Sequence, residues 1–307
     1  MIVIMSPNAA ASSPQSLAEV IESELRDRGS SVRATKERAY LKSNLLHYGV
    51  GVPGTRAVVR TALRGAELDH DGIIALVEAL WNSTGAPDNA SCAGKLGGAG
   101  RAGELTNTSR VAELDGVARA GDLDGAGRGT PIYECRSAAT MVLIQKQDRL
   151  GAGDSDLFER LLRQARTWAL VDPLAGDAVG PLSEYDAEFD PVLERWASDE
   201  DFWIRRSALL AHLRPLRESR GDFDRFSRYA DAMLEEKEFF IRKAIGWVLR
   251  DTARTRPDMV FDWMLPRAHR ASGVTMREAV KHLSPEQRDA LLAVSVRGTR
   301  RTRAGSG

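Results

Sequence analysis

Cysteine is almost missing: Cys92 and Cys135 are two in a chain of 307 residues, with no Cys-x-x-Cys pair and no histidine at ligand spacing beside either. Neither a disulfide framework nor a zinc site is indicated. Long apolar runs are missing too. No window approaches the roughly eighteen apolar residues of a membrane span, and the short run Met1 to Met5 lacks the basic flank, length and cleavage site of a signal peptide. A soluble, cytoplasmic protein without membrane association is expected. Neither sign of charge dominates, with 43 Lys and Arg against 43 Asp and Glu, so a nonspecific polycation of the histone type is excluded. Strand signals are scarce, because alternating apolar and polar runs of β-branched or aromatic residues do not recur.

Helical periodicity takes their place. It predicts helices over 16–28, 54–63, 72–81, 154–170, 191–196, 202–213, 223–234, 239–254, 258–264, 275–282 and 285–292, with another following Pro131. Ser198-Asp199, Pro257-Asp258 and Ser284-Pro285 supply start signals. Antiparallel helix pairs at this spacing predict an all-α, HEAT-like α-solenoid with a repeat of roughly forty residues and a concave face. One stretch interrupts the pattern. From Ser83 to Thr130 the chain is rich in Gly and Ala, including Gly97-Gly98, Gly125, Gly127 and Gly129, and reads as a disordered insertion. Within it, Val111, Leu114 and Val117 give only a faint helical signal. The expected organisation is a disordered start over 1–15, one repeat domain over 16–82 and 131–296, and a basic, disordered tail over 297–307.

The balanced total hides local segregation. Between Phe202 and Arg256 stand 13 Lys and Arg against 8 Asp and Glu, so contact with nucleic acid stays open. Within it, Lys237 to Asp251 place Phe240, Lys243, Trp247 and Arg250 at three- and four-residue spacing, so aromatic rings and cations share one helical face. Such a face suits a phosphate backbone; it also suits an ordinary helix with Phe239, Ile241, Ile245 and Val248 in the core. Trp203 and Arg206 repeat the pairing, and Arg206 could meet a phosphate or a nearby acid such as Asp199 or Glu200. Trp168 and Asp172, four residues apart, put an indole and a carboxylate on one face. Pro173 is expected to end or kink that helix. The commoner reading of such a pair is a core Trp beside an Asp at the helix C-terminus, but that position is electrostatically unfavourable for an acid, which makes a functional reason more attractive.

Taken together, Ala39 to Asn44 continuing to Gly51-Val52-Pro53, Trp168 to Ala175, Phe202 to Leu210, Lys237 to Asp251 and, more weakly, Met276 to Leu283 resemble the AlkD family of DNA alkylation repair glycosylases. The resemblance covers the chain apart from the insertion and the two ends. It implies HEAT-like repeats cradling double-stranded alkylated DNA and excision of N3- and N7-alkylated purines in base excision repair. The expected product is an abasic site, formed by a monomer that associates with the nucleoid when bound to DNA. It assigns Asp172 as the catalytic carboxylate, Trp168 and Trp247 as cleft aromatics, and Arg206 as a cation on DNA. Tyr40 and Arg250 fall on further cleft positions.

The residue set suits that reaction. An N3- or N7-alkylated purine carries positive charge and leaves without a general acid, so the enzyme need only stabilise the oxocarbenium character growing at C1'. A carboxylate about 5 Å away, in an effective dielectric near 20, contributes roughly 3 kcal/mol, or about two powers of ten in rate. Asp172 could also hold or deprotonate the attacking water, while Trp168 and Trp247 shield the cation. Arg206, Lys243 and Arg250 would hold phosphates. No metal or other cofactor is called for, and no lysine occupies the Asp172 segment, so a monofunctional hydrolase without a Schiff-base step is expected. The rival expectations are a noncatalytic binder of DNA structure on the same solenoid, and a HEAT-type protein scaffold.

Overall fold

The structure, a computed structural model, describes residues 13–86 and 129–304, with side chains through Ser295. Residues 1–12 of the expected disordered start over 1–15, and 87–128 of the expected insertion over 83–130, lie outside the described residues, while 14 and 15 already belong to the first helix.

The described residues are all-α apart from one minimal strand pair and an isolated bridge between Leu46 and Ile132. Helix α1 (Pro14–Asp27) opens with Ser13 as its cap and a proline in the first turn, where the missing N–H costs nothing. Leu17, Ala18, Ile21 and Leu25 recur on its buried face. That face packs on α3 (Val52–Ala62) and α4 (His70–Trp81), and α4 packs on α5 (Tyr133–Gln145). Strands β1 (Thr84–Gly85) and β2 (Thr130–Pro131) pair antiparallel, drawing together the two ends of the segment read as an insertion.

Helix α2 (Ser31–Leu41) was not predicted. None of its residues is buried, so it has no apolar stripe for a periodicity argument to find. The loop after it is held from below. Glu134, fully buried at the start of α5, accepts backbone N–H groups from Tyr48 (2.9 Å), Gly49 (2.6 Å) and Val50 (3.1 Å). Gly49 adopts a φ of 80°, where a Cβ would lie 2.2 Å from the Ser30 carbonyl oxygen, so the turn requires glycine. His47, buried beside this loop, stacks on Tyr133 at 4.6 Å, and burial pulls its pKa down to about 4.

The second half is built by regular stacking. One row runs α7 (Trp168–Pro173), α10 (Phe202–Leu210), α13 (Phe239–Thr252) and α15 (Gly273–Ala279). The other runs α6 (Ser155–Ala165), α9 (Asp190–Ala197), α12 (Phe223–Ala232) and α14 (Pro257–Met264). Polar bonds cross from unit to unit at nearly constant separation: Glu159 to Trp196 over 37 residues, Glu194 to Tyr229 over 35 and Asp231 to Arg267 over 36. A solenoid built of near-equal units has this register. The unit is shorter than the roughly forty residues expected. Within the first row, packing is closest where α13 meets α15. A Cβ at Gly246 would lie 2.8 Å from the Glu278 Cβ and 3.0 Å from the Thr275 carbonyl oxygen, so glycine permits the approach.

Three helix boundaries differ from the periodicity. The predicted helix over 154–170 is two helices, because Arg166 turns left-handed at φ 52° and Thr167 caps a new start. The predicted helix over 202–213 likewise stops at Leu210, and α11 (Leu213–Arg217) follows. Finally α16 (Pro285–Ala304) continues well past Leu292, its backbone helical along most of the stretch expected as a disordered tail. Among the described residues no helix is long and apolar enough to cross a membrane.

Candidate functional site

Trp168 is the first residue of α7, placed there by the Thr167 cap, whose hydroxyl accepts the Ala169 N–H. Its indole is half-buried, and its ring lies 6.0 Å from that of Tyr40 at an interplanar angle of 85°, a favourable edge-to-face geometry. Tyr40 belongs to α2 and is 75% exposed. The structure thus places together two residues 128 positions apart that the sequence singled out separately, one anchored and one facing solvent.

Asp172 stands one turn beyond Trp168. The helix does not end at Pro173: winding loosens to a π stretch over Leu174–Val179 and resumes as α8 (Gly180–Tyr185). Proline removes one donor and crowds the preceding turn, and the wider winding absorbs this without breaking the helix; such stretches often mark functional sites. Asp172 is therefore in the second turn of a long helix. The unfavourable C-terminal position expected from sequence does not arise, and the nearer end is the one that favours an anion.

The partner of Asp172 is Arg206. Nε donates to Oδ1 and Nη2 to Oδ2, both at 2.8 Å. The two side chains are 12% and 3% exposed, so the pair is enclosed and bidentate. Arg206 also donates through Nη1 to the Phe240 carbonyl, and its guanidinium carbon lies 5.7 Å from the Phe240 ring centre. One cation therefore ties α7, α10 and α13 together. The Phe240 ring packs in turn on Trp203 at 4.8 Å. Of the two fates open to Arg206, the free protein shows an acid, but a distant one. Asp199 and Glu200 instead present their carbonyls to Arg205, at 2.6 and 2.9 Å.

Lys243, Trp247 and Arg250 form a second group further along α13. Trp247 is half-buried beneath Arg250, whose guanidinium carbon is 5.9 Å from its ring. Arg250 donates to Glu278 at 2.6 Å and to Asp251 at 3.1 Å. Lys243 also bonds Glu278, and Lys281 reaches it at 2.8 Å. Burial alone would raise the Glu278 pKa, but the Lys243 and Lys281 ammonium groups outweigh it and hold the carboxyl at about 2. Lys243 keeps 38% of its side chain exposed and Arg250 22%, so both cations still face solvent in part. Glu278 escaped the sequence reading; the signal was its position 35 residues after Lys243, one structural unit on.

Among the described residues, one group could hold a metal ion: Glu37, His47 and Glu134. Glu37 lies on α2, three residues before Tyr40.

Comparison with known proteins gives the same direction. The solved structure of a predicted DNA alkylation repair enzyme from Enterococcus faecalis superposes with a TM-score of 0.61 at 20% identity, covering 84% of this chain and 98% of that one. This likeness bears on the fold alone. No curated protein matches the sequence. The family profile described as DNA alkylation repair enzyme matches residues 21–98 and 129–283, which take in α7, α10, α13 and every residue assigned above. With most of its length matched by that profile, the chain belongs to the DNA alkylation repair enzyme family.

Proposed function

We propose that the protein is a monofunctional DNA glycosylase that hydrolyses the N-glycosidic bond of N3- and N7-alkylated purines in duplex DNA, leaving an abasic site for base excision repair. The observation that carries this reading is the enclosed Asp172–Arg206 pair, one helical turn from an indole that meets the exposed Tyr40. A carboxylate fixed by two hydrogen bonds beside aromatic rings is preorganised for a cationic transition state.

In this reading duplex DNA lies along a face to which the end of α2 (Tyr40), the start of α7 (Trp168, Asp172), α10 (Arg206) and α13 (Lys243, Trp247, Arg250) contribute. As the alkylated base departs with the electron pair of its glycosidic bond, it becomes neutral. Positive charge develops on the deoxyribose, opposite Asp172. Water then adds to C1', and its proton passes to Asp172 or to solvent. Trp168, Trp247 and Tyr40 line the cleft and exclude competing water. Lys243 and Arg250, still partly exposed, contact phosphates. Arg206 keeps its two hydrogen bonds to the carboxylate while its positive charge attracts the phosphate nearest α10. The protein works as a monomer in the cytoplasm, on the nucleoid when bound.

The test is release of 7-methylguanine from a defined duplex by the purified protein, beside Asp172→Asn, with duplex binding measured at several salt concentrations. Release by the wild type, lost in the variant while salt-sensitive binding persists, is the expected result. Binding without release by the wild type would instead identify a noncatalytic DNA-structure binder, and absence of binding would leave the scaffold reading.

A further inference from the structure

Glu37, His47 and Glu134 come from α2, the loop after it and the start of α5, and the reaction above uses none of them. Each offers one ligand atom, and these atoms lie within 4.8 Å of one another. His47 is 7% exposed, yet neither ring nitrogen has a hydrogen-bond partner; Glu37 Oε2 is likewise buried and unpartnered. Buried polar atoms are ordinarily satisfied, and two orphans, one His47 ring nitrogen and Glu37 Oε2, meeting beside Glu134 in one small space need a reason. Glu134 fits the same account. Its Oε1 accepts Gly49 and Val50 and its Oε2 accepts Tyr48, so with two lone pairs per oxygen one position on Oε2 remains open. The remaining oxygen of Glu37 is engaged by Arg33 at 2.6 Å, which leaves Oε2 as the free donor.

We propose that Glu37, His47 and Glu134 bind one divalent transition-metal ion, which clamps α2 to the His47 loop and to α5. One imidazole nitrogen and two carboxylate oxygens, with no thiolate, suit zinc, manganese or ferrous iron better than a soft monovalent ion. Bonds of about 2.0–2.2 Å would draw the three donors to roughly 3.5–4 Å apart; a change of about an ångström at Glu37, the least enclosed of the three, closes the set. The His47 ring is already held in plane by its stack on Tyr133, the kind of support that orients a ligand. Helix α2 needs such a clamp, since none of its residues is buried. Tyr40 lies one turn from Glu37 on that helix, so the ion would also fix the ring that meets Trp168.

The experiment is titration of chelator-stripped full-length protein with zinc and, separately, cobalt(II), read by calorimetry, by the cobalt visible spectrum and by hydrogen exchange over residues 31–41. One ion per chain should bind, with a melting temperature raised by about 5 °C at a hundredfold excess over Kd. Amides of α2 should exchange at least tenfold more slowly. Glu37→Gln, on a partly exposed helix that tolerates it, should weaken binding at least tenfold, and His47→Gln should do the same. None of these readouts depends on glycosylase activity. Absence of saturable binding, binding kept by both variants, or unchanged exchange in α2 at saturation would overturn the proposal.

Discussion

Replacing Asp172 with Asn probes both the chemistry and the frame, and the two effects can be sized separately. In the free protein the carboxylate accepts two hydrogen bonds from Arg206, each 2.8 Å long. An asparagine keeps one oxygen for this purpose and turns an amide N–H₂ toward the other guanidinium nitrogen, donor against donor. Arg206 stays enclosed, at 3% exposure, with its charge uncompensated. Breaking one side of such a pair costs about 3–5 kcal/mol when the charge is abandoned; with one hydrogen bond kept, roughly 2–3 kcal/mol is expected. Urea denaturation should show this as a lower midpoint with an unchanged slope.

The rate effect follows from the same geometry. A free carboxylate about 5 Å from C1' is worth roughly 3 kcal/mol at an effective dielectric near 20. With the Arg206 charge still behind it, at about 9 Å from C1', roughly half of that is cancelled. Asp172→Asn leaves that Arg206 charge in place and removes only the carboxylate, so the whole of the roughly 3 kcal/mol is lost and single-turnover release of 7-methylguanine should slow by about a hundredfold. The assay belongs well below the melting temperature of the variant, so that lost stability is not read as lost catalysis. A fall of less than about threefold, with DNA binding intact, would refute the electrostatic role of Asp172.

Tyr40→Ala should leave stability within about 0.5 kcal/mol, since the ring is 75% exposed. It should still slow base release by about three- to tenfold through the lost edge contact with Trp168; equal activity would remove Tyr40 from the cleft. The carboxyl of Glu278 lies at about 2, below its ordinary value of 4.5, so it contributes stability above pH ~4.5 that is lost as pH falls through about 2. Because Lys243 and Lys281 are partly solvated, that contribution is about 1–2 kcal/mol. Glu278→Gln should show this deficit in urea at pH 7 and almost none near pH 2; a deficit independent of pH would contradict the assignment. Gly246→Ala gains up to about 1 kcal/mol of helix propensity but places a Cβ 2.8 Å from that of Glu278. Overpacking should win by about 1–2 kcal/mol, and a raised melting temperature would show that α13 and α15 can part more easily than their packing implies.

How far the sequence could be read depended on which faces were buried. The helices α1, α9, α10, α12, α13 and α14 announced themselves because each buries an apolar stripe. Helix α2 buries nothing, and so left no pattern. The break at Arg166 carries neither glycine nor proline, whereas Pro173 carries the strongest breaker signal available and the helix passes through it. At the site, spacing put Trp168 and Asp172 on one face, and the resemblance marked Tyr40, Arg206 and Trp247. The partner of Arg206 was beyond reach, because a bond over 34 residues belongs to the stacking of units rather than to any one helix. The same holds for Glu278 and for the group around His47.

That stacking bears on what the Asp172–Arg206 pair is for. Pairs at nearly the same separation, 35 or 36 residues, recur along the solenoid as plain connections between units: Arg225 with Asp190, Arg220 with Glu184, Arg195 with Glu159, Arg267 with Asp231. In each, at least one partner is 29% exposed or more, so solvent carries much of the charge and each pair is worth little. Asp172–Arg206 alone among the described ion pairs has both side chains below 15% exposure. Enclosing two charges costs desolvation that their attraction does not always recover, and an apolar pair of similar volume would often hold the units as well or better. Stability therefore gives little reason for a carboxylate at this one position in the ladder. On the proposed function, a transition state that develops positive charge beside the start of α7 would give one, with the exposed Tyr40 and half-buried Trp168 placed to meet the deoxyribose.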